Sequence, residues 1–188
     1  MSAPASAAPA LPVVATPSGP RPPRAVRIIK IVVNAGVGES GEPRNKAEKV
    51  LKMVTHQSPI PTRSHATNRD WGIREGQEIG AKVTLRGERA RDFLDRALDA
   101  RDRQLDPDSI DDHGNLSFGV ADYTDFAGMK YDPAIGIHGM DVSVELGRAG
   151  WRVRDRRLRP RPIPPSARVD LAEARAFLEQ SFRVKFLE

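Results

Sequence analysis

Two distant stretches of the chain obey one rule. In residues 79–86 (IGAKVTLR), Ile79, Ala81, Val83 and Leu85 alternate with Lys82, Thr84 and Arg86; in residues 140–146, Met140, Val142, Val144 and Leu146 alternate with Asp141, Ser143 and Glu145. A period of two is that of a strand buried on one side only. The chain must therefore build a sheet with one face on a core and the other face polar. Candidates for the cover are amphipathic helices. Behind Pro43, Ala47, Val50, Leu51 and Val54 recur at i, i+3, i+4 and i+7, and after Gly87 the residues Ala90, Phe93, Leu94, Ala97 and Leu98 form one stripe. Residues 26–33 (VRIIKIVV), rich in β-branched side chains and free of breakers, read as a strand inside the sheet. Residues 116–120 read as a short extended piece, and residues 57–77 as a polar stretch. A last helix starts at Asp170, an N-cap with Glu173 three residues on, and runs to about Gln180. This order is neither a strict βαβ alternation nor a sandwich. It predicts an α+β fold, a mainly antiparallel sheet with helices packed on one face and the other face left available.

The chain of 188 residues is long enough for one domain with a real core. Residues 1–20 carry no charged side chain and are dominated by Ala, Pro and Ser, so residues 1–23 are expected to be a disordered tail and residues 24–188 a single domain. The tail lacks the basic start and unbroken apolar stretch of a secretory signal and the arginines of a transit peptide, so a cytoplasmic protein is expected. No run approaches the apolar length of a membrane span. With no cysteine, disulfides, zinc ribbons, iron–sulfur clusters and cysteine nucleophiles are excluded. His56, His65, His113 and His138 never fall at metal-ligand spacing, and no metal or other cofactor is expected.

Several motifs tempt toward an enzyme. Gly36-Val37-Gly38-Glu39-Ser40-Gly41 satisfies G-x-G-x-x-G between a predicted strand and helix, the setting of a dinucleotide site. That site also needs a carboxylate about 20 residues on to hold the ribose, and residues 54–61 (VTHQSPIP) offer none. Glu39 would repel a pyrophosphate as well, so the glycines read as a tight strand-to-helix turn. Asn115-Leu116-Ser117-Phe118-Gly119 departs from the nucleophile elbow G-x-S-x-G at its first glycine and reads as a polar turn before a strand. Asp111-Asp112-His113 lacks supporting ligands and reads as a solvated loop.

Basic residues point elsewhere. Lys and Arg number 30 against 25 Asp and Glu, and 23 of the 30 are arginine, the residue suited to phosphate. Residues 148–168 hold eight arginines against the single acid Asp155, with Trp151 among them and prolines that forbid a continuous helix. Such a run repels itself unless an anion neutralises it, and arginine-rich arms of this kind thread along folded RNA. Lys82, Thr84 and Arg86 project from one face of their strand, which Lys30 shares if the two strands pair. Together with the arm they read as a platform for an RNA backbone.

Ordered blocks of sequence then resemble a known family. Residues 27–39 (RIIKIVVNAGVGE), Gln57-Ser58-Pro59 with Thr62, Gly72-Ile73-Arg74-Glu75-Gly76, residues 79–87 (IGAKVTLRG), Phe93-Leu94-Asp95-Arg96, residues 114–119 (GNLSFG) and Gly139-Met140-Asp141-Val142 closely resemble the 5S-rRNA-binding L-five family of large-subunit ribosomal proteins. Tyr131-Asp132-Pro133 and Gly150-Trp151-Arg152-Val153 look like its archaeal branch. The resemblance covers the chain from about residue 24 to the C-terminus.

It implies a non-enzymatic protein of the central protuberance with 5S rRNA, large-subunit rRNA, P-site tRNA and neighbouring ribosomal proteins as partners, acting in translation and subunit assembly on the cytoplasmic ribosome. By resemblance, Asn34, Gln57 and Thr84 face 5S rRNA, with Arg63, Lys82 and Arg86 as phosphate contacts beside them. His56 stands where the family has a glycine. The tRNA-approaching loop matches residues 67–77, with Thr67, Arg69, Trp71 and Arg74 as its contacts. Ser64-His65-Ala66 replaces the family's basic run, which leaves Arg63, Arg69 and Arg74 to carry more of that contact. Arg24, Arg27, Arg152, Arg154, Arg156, Arg157, Arg159 and Arg161 are expected to bind other rRNA. Two rivals from other classes are a nucleotide-dependent oxidoreductase using the glycine turn and an adaptor using the Pro-rich tail to hold protein partners.

Overall fold

A computed structural model describes residues 25–187. The expected tail and Arg24 lie outside the described residues. Among the described residues, seven strands and four α-helices follow in chain order: β1 (Arg27–Gly36), α1 (Glu42–Thr55), β2 (Ile60–Arg63), β3 (Glu78–Leu85), α2 (Glu88–Asp99), β4 (Gln104–Leu105), β5 (Leu116–Val120), β6 (Met140–Gly147), α3 (Arg152–Asp155), α4 (Leu171–Phe182) and β7 (Lys185–Phe186). Five of the strands form one sheet in the order β2-β3-β1-β6-β5, every neighbouring pair antiparallel. The α+β architecture is as the sequence predicts.

Register decides which side chains share a face, because cross-strand partners point the same way. Ile31 is opposite Leu85 and Val144, Val33 is opposite Val83 and Val142, and Leu116 and Phe118 extend those rungs on β5. All are buried. The two predicted apolar stripes complete this core: Ala47, Val50, Leu51 and Val54 of α1, and Ala90, Phe93, Leu94, Ala97 and Leu98 of α2. Ala174, Leu178 and Phe182 of α4 join the same cluster. Burying one such side chain is worth about 1.5–3 kcal/mol, so the core holds the sheet in place without help from its uncovered face.

The structure departs from the sequence reading in three places. Part of the polar stretch 57–77 is strand β2, which pairs with β3 along the sheet edge. Only four residues long and half exposed, it carries no period for a sequence reading to detect. Asp170 does sit at the N-cap of α4 with extended backbone, but its side chain caps nothing. Glu173, the expected reciprocal partner, is instead ion-paired with Arg148, and a charge partner outcompetes a backbone amide for that carboxylate. The third difference is the two-stranded parallel pair of β4 and β7, which ties the C-terminal segment back to the one after α2.

Helix α1 ends on His56, whose backbone is left-handed (φ 53°, ψ 26°) and whose N–H donates to the Lys52 carbonyl at 3.0 Å. That conformation penalises any residue with a Cβ, which is why helices favour glycine there. His56→Gly is expected to raise stability by about 0.5 kcal/mol, part of the strain relief being lost to the freer unfolded chain. Thermal denaturation of both proteins checks this; a lower midpoint for the glycine variant would contradict it.

Candidate nucleic-acid interface

Helices α1, α2 and α4 cover one side of the sheet, and the side chains of the opposite parity stand on the other. Asn34 pairs in register with Lys82 of β3 and with Asp141 of β6, and Gly119 of β5 continues that rung. The next rung runs Thr84, Val32, Ser143 and Ser117. Lys30, opposite Glu145, completes the stripe in β1. The expectation that Lys30 shares the face of Lys82 and Thr84 therefore holds. A β-bulge between Ile28 and Lys30 shifts the register, so Ile28 turns inward opposite Leu146 and Arg27 comes out opposite Gly147 on the open face.

Gln57 follows the His56 cap and reaches back across the sheet edge, where its Nε2 donates to the Thr84 carbonyl at 3.3 Å. That bond joins two residues that sequence places far apart. The open face thus brings together Asn34, Lys82 and Thr84, with Gln57 bound to the Thr84 backbone at the side of β3 and Arg86 exposed just past its end. Lys82 and Arg86 are exposed and, among the described residues, make no ion pair. Arg63, at the end of β2, is exposed but faces Glu78 at 3.4 Å, and Glu78 also pairs with Arg44 at 3.1 Å. Its charge is shared, and it offers less to an outside anion than Lys82 does.

The loop between β2 and β3 has a definite shape. Asn68 and Ile73 exchange two backbone hydrogen bonds of 2.8 and 2.9 Å, Ser64 and Gln77 close the base at 2.8 Å, and Thr67 Oγ1 accepts from the Glu75 N–H at 3.1 Å. Ile73 is buried beneath it. At the tip Trp71 is 76% exposed, flanked by the exposed Arg69 and Arg74. A bare indole beside guanidinium groups is suited to stacking on nucleotide bases. Thr67, Arg69, Trp71 and Arg74 thus share one protrusion, apart from the sheet-face cluster in sequence but rooted on the same strands.

The tempting motifs find ordinary structural uses. The Val37 and Gly38 amides both donate to the Ile79 carbonyl, at 3.1 and 3.0 Å, so the glycine turn directs them at β3 and not at a phosphate. Gly38 and Gly41 supply positive φ, of 79° and 103°. Ser117 stands on regular strand β5. Asp111 organises its own turn, accepting from the His113 and Asn115 amides at 2.9 and 2.7 Å and from Asn115 Nδ2 at 2.8 Å. Burial pushes its carboxyl up, but the Asn115 and His113 hydrogen bonds outweigh this and hold it below the ordinary value.

The sequence reading missed Glu145 as a site residue. Its carboxylate is 16% exposed on the open face and takes Lys30 Nζ at 2.9 Å, Trp151 Nε1 at 2.9 Å and an Arg154 guanidinium nitrogen at 3.2 Å. Burial raises its pKa, yet the Lys30 and Trp151 hydrogen bonds and the Lys30 and Arg154 charges bring it below the usual carboxylate value. The only sequence signal was its place in the alternation of β6. Of the arm arginines, Arg154 is engaged with Glu145 and Asp155, whereas Arg152, Arg156, Arg157, Arg159 and Arg161 are exposed and without ion pairs among the described residues.

Known proteins are similar to this chain in sequence over most of its length. The family model described as ribosomal protein L5 matches residues 22–74, and a second model, for the C-terminus of the same ribosomal family, matches residues 78–186. The large ribosomal subunit protein uL5 of Picrophilus torridus is 46% identical over 157 residues, 83% of this chain and 89% of that protein. The uL5 of Thermoplasma volcanium is 48% identical over 154 residues, covering 81% of this chain and 91% of its own. That of Methanoculleus marisnigri is 47% identical over 154 residues, 82% and 92% of the two chains.

Proposed function

Since the chain belongs to the ribosomal protein L5 family, a structural and non-enzymatic component of the large ribosomal subunit, we propose that it holds 5S rRNA on the open face of its sheet. The observation that carries this reading is the convergence of Asn34, Lys82 and Thr84 on the sheet face opposite α1, α2 and α4, with Gln57 tied to the Thr84 backbone beside β3. Lys82, Arg86 and Arg63 neutralise phosphates, which supplies affinity without sequence information. Asn34, Gln57 and Thr84 supply directional hydrogen bonds, and Gln57, already tied to the Thr84 backbone carbonyl, needs little reordering to make its own. The Arg27 end of β1 and the arginine-rich arm contact large-subunit rRNA. The protrusion bearing Thr67, Arg69, Trp71 and Arg74 reaches P-site tRNA. The protein thereby serves translation and subunit assembly on the cytoplasmic ribosome, beside the other ribosomal proteins of the central protuberance.

A mobility-shift titration against 5S rRNA at two salt concentrations tests the reading. Asn34→Ala and Thr84→Ala are each expected to weaken binding by about tenfold, the worth of one hydrogen bond in a desolvated interface. Wild-type affinity should fall steeply with salt. Equal affinity for an unrelated structured RNA, or variants that bind as the parent does, would sink it.

A further inference from the structure

A segment as cationic as residues 148–168 holds a shape without RNA only where something on the protein counters its charge and fixes its path. Two such anchors are present at its root. As the chain leaves β6, Arg148 pairs with Glu173 of α4. At Gly147 a Cβ would stand 3.0 Å from Ile29 and 3.3 Å from the Trp151 ring, so the glycine makes the room in which Trp151 lies against β6. Trp151 Nε1 and Arg154 then share one oxygen of Glu145, and the Arg154 guanidinium stacks on the Trp151 ring at 4.9 Å. Lys30 takes the other oxygen.

Beyond this anchor the chain closes on itself. The Arg161 N–H donates to the Val153 carbonyl at 3.2 Å, Arg156 Nε donates to the Arg159 carbonyl at 2.9 Å, and Arg159 has a left-handed backbone with φ 49°. Residues 153–161 are therefore a closed loop whose rim carries Arg156, Arg157 and Arg159, with Leu158 79% exposed among them.

We propose that residues 153–161 form a docking element for the phosphate backbone of folded rRNA, shaped before RNA arrives, and that Glu145 is its positioning residue. This rests on the RNA-binding reading above and adds how the arm is presented. Glu145 adds no net repulsion for RNA where it stands, because its partners are two cations and an indole N–H. It joins the arm to the sheet face, so that both meet RNA as one surface. An arm ordered only on contact would lose its conformational freedom at that moment and bind more weakly for the same charges.

Order and charge are separable by salt titration of the full chain against deproteinised large-subunit rRNA. Glu145→Ala keeps every arginine and is expected to weaken binding about tenfold while leaving the log–log salt slope unchanged, because the same phosphates are neutralised. Glu145→Gln, which keeps an acceptor for Trp151 but no charge, should lose about threefold and serves if the alanine variant folds poorly. Replacing Arg156, Arg157 and Arg159 together by alanine should lower the slope by about two units. In a Trp71→Phe background the remaining indole reports the arm directly, and its fluorescence anisotropy should fall in Glu145→Ala. Binding by Glu145→Ala that equals or exceeds the parent, or unchanged Trp151 anisotropy, overturns the positioning role. A triple variant with the parent's slope would instead overturn the RNA role of the arm, while the anisotropy still reads what Glu145 holds.

Discussion

Replacing Lys82 and Arg86 together by glutamate is expected to weaken 5S rRNA binding by about a hundredfold near 0.1 M salt while leaving the fold intact. Both side chains are exposed on the uncovered face, and neither makes an ion pair among the described residues, so folding gains nothing from their charge. Each reversal exchanges an attraction of about 1 kcal/mol at 4 Å in water for a repulsion of the same size. Two reversals sum to about 4 kcal/mol, which salt screening reduces toward half or somewhat more. The matched control is Lys49→Glu with Lys52→Glu, which makes the same change of net charge on the exposed side of α1, the layer that covers the other face of the sheet. Mobility-shift titration of both variants separates a face-specific interaction from attraction to net charge. Equal losses in the two would show that the open face is not the binding surface.

The second large effect is expected at Gly80. It lies in β3 between β2 and β1, in register with Gly36 and Thr62. A Cβ there would stand 2.7 Å from the Ala35 carbonyl oxygen and 3.5 Å from the Gly36 Cα. Backbone cannot step aside as a side chain can, so β1 and β3 must part locally. Gly80→Ala is expected to cost about 2–4 kcal/mol, within the range of overpacked interiors. The thermal midpoint should then drop by about 5–12 °C in a chain of this size. Because the strained pair is two residues from the Asn34–Lys82 rung, 5S rRNA affinity should fall as well. A midpoint within a degree of the parent would show that the strands separate there without cost.

These effects show how much of the site sequence could reveal. The alternation in residues 79–86 placed Lys82 and Thr84 on one face and Val83 on the other before any pairing was known, because a strand's side chains alternate whatever lies beside it. The stripes of α1 and α2 were legible for the same reason, being properties of a single element. Asn34 carried no such signal; only the resemblance to a family pointed to it, and only the register with Lys82 and Asp141 sets it in the middle of the open face. Gln57 and Thr84 meet through a bond between a post-helix turn and a strand, a contact that no spacing encodes. Strand β2 stayed hidden because it is short and lies on the sheet edge, where neither face demands a hydrophobic pattern.

By itself the sequence determined the fold class, the absence of cysteine chemistry and the cationic character of the arm, since each follows from residue type or from a period within one element. The tertiary structure decided which polar residues share a surface. It also turned a predicted capping box into an Arg148–Glu173 ion pair, and it made Glu145 the point at which Lys30, Trp151 and Arg154 meet. The physical reason is range: periodicity and propensity act between near neighbours along the chain, whereas a salt bridge or a strand register is fixed only when distant segments have already packed, and the charges then take whichever partner lies closest.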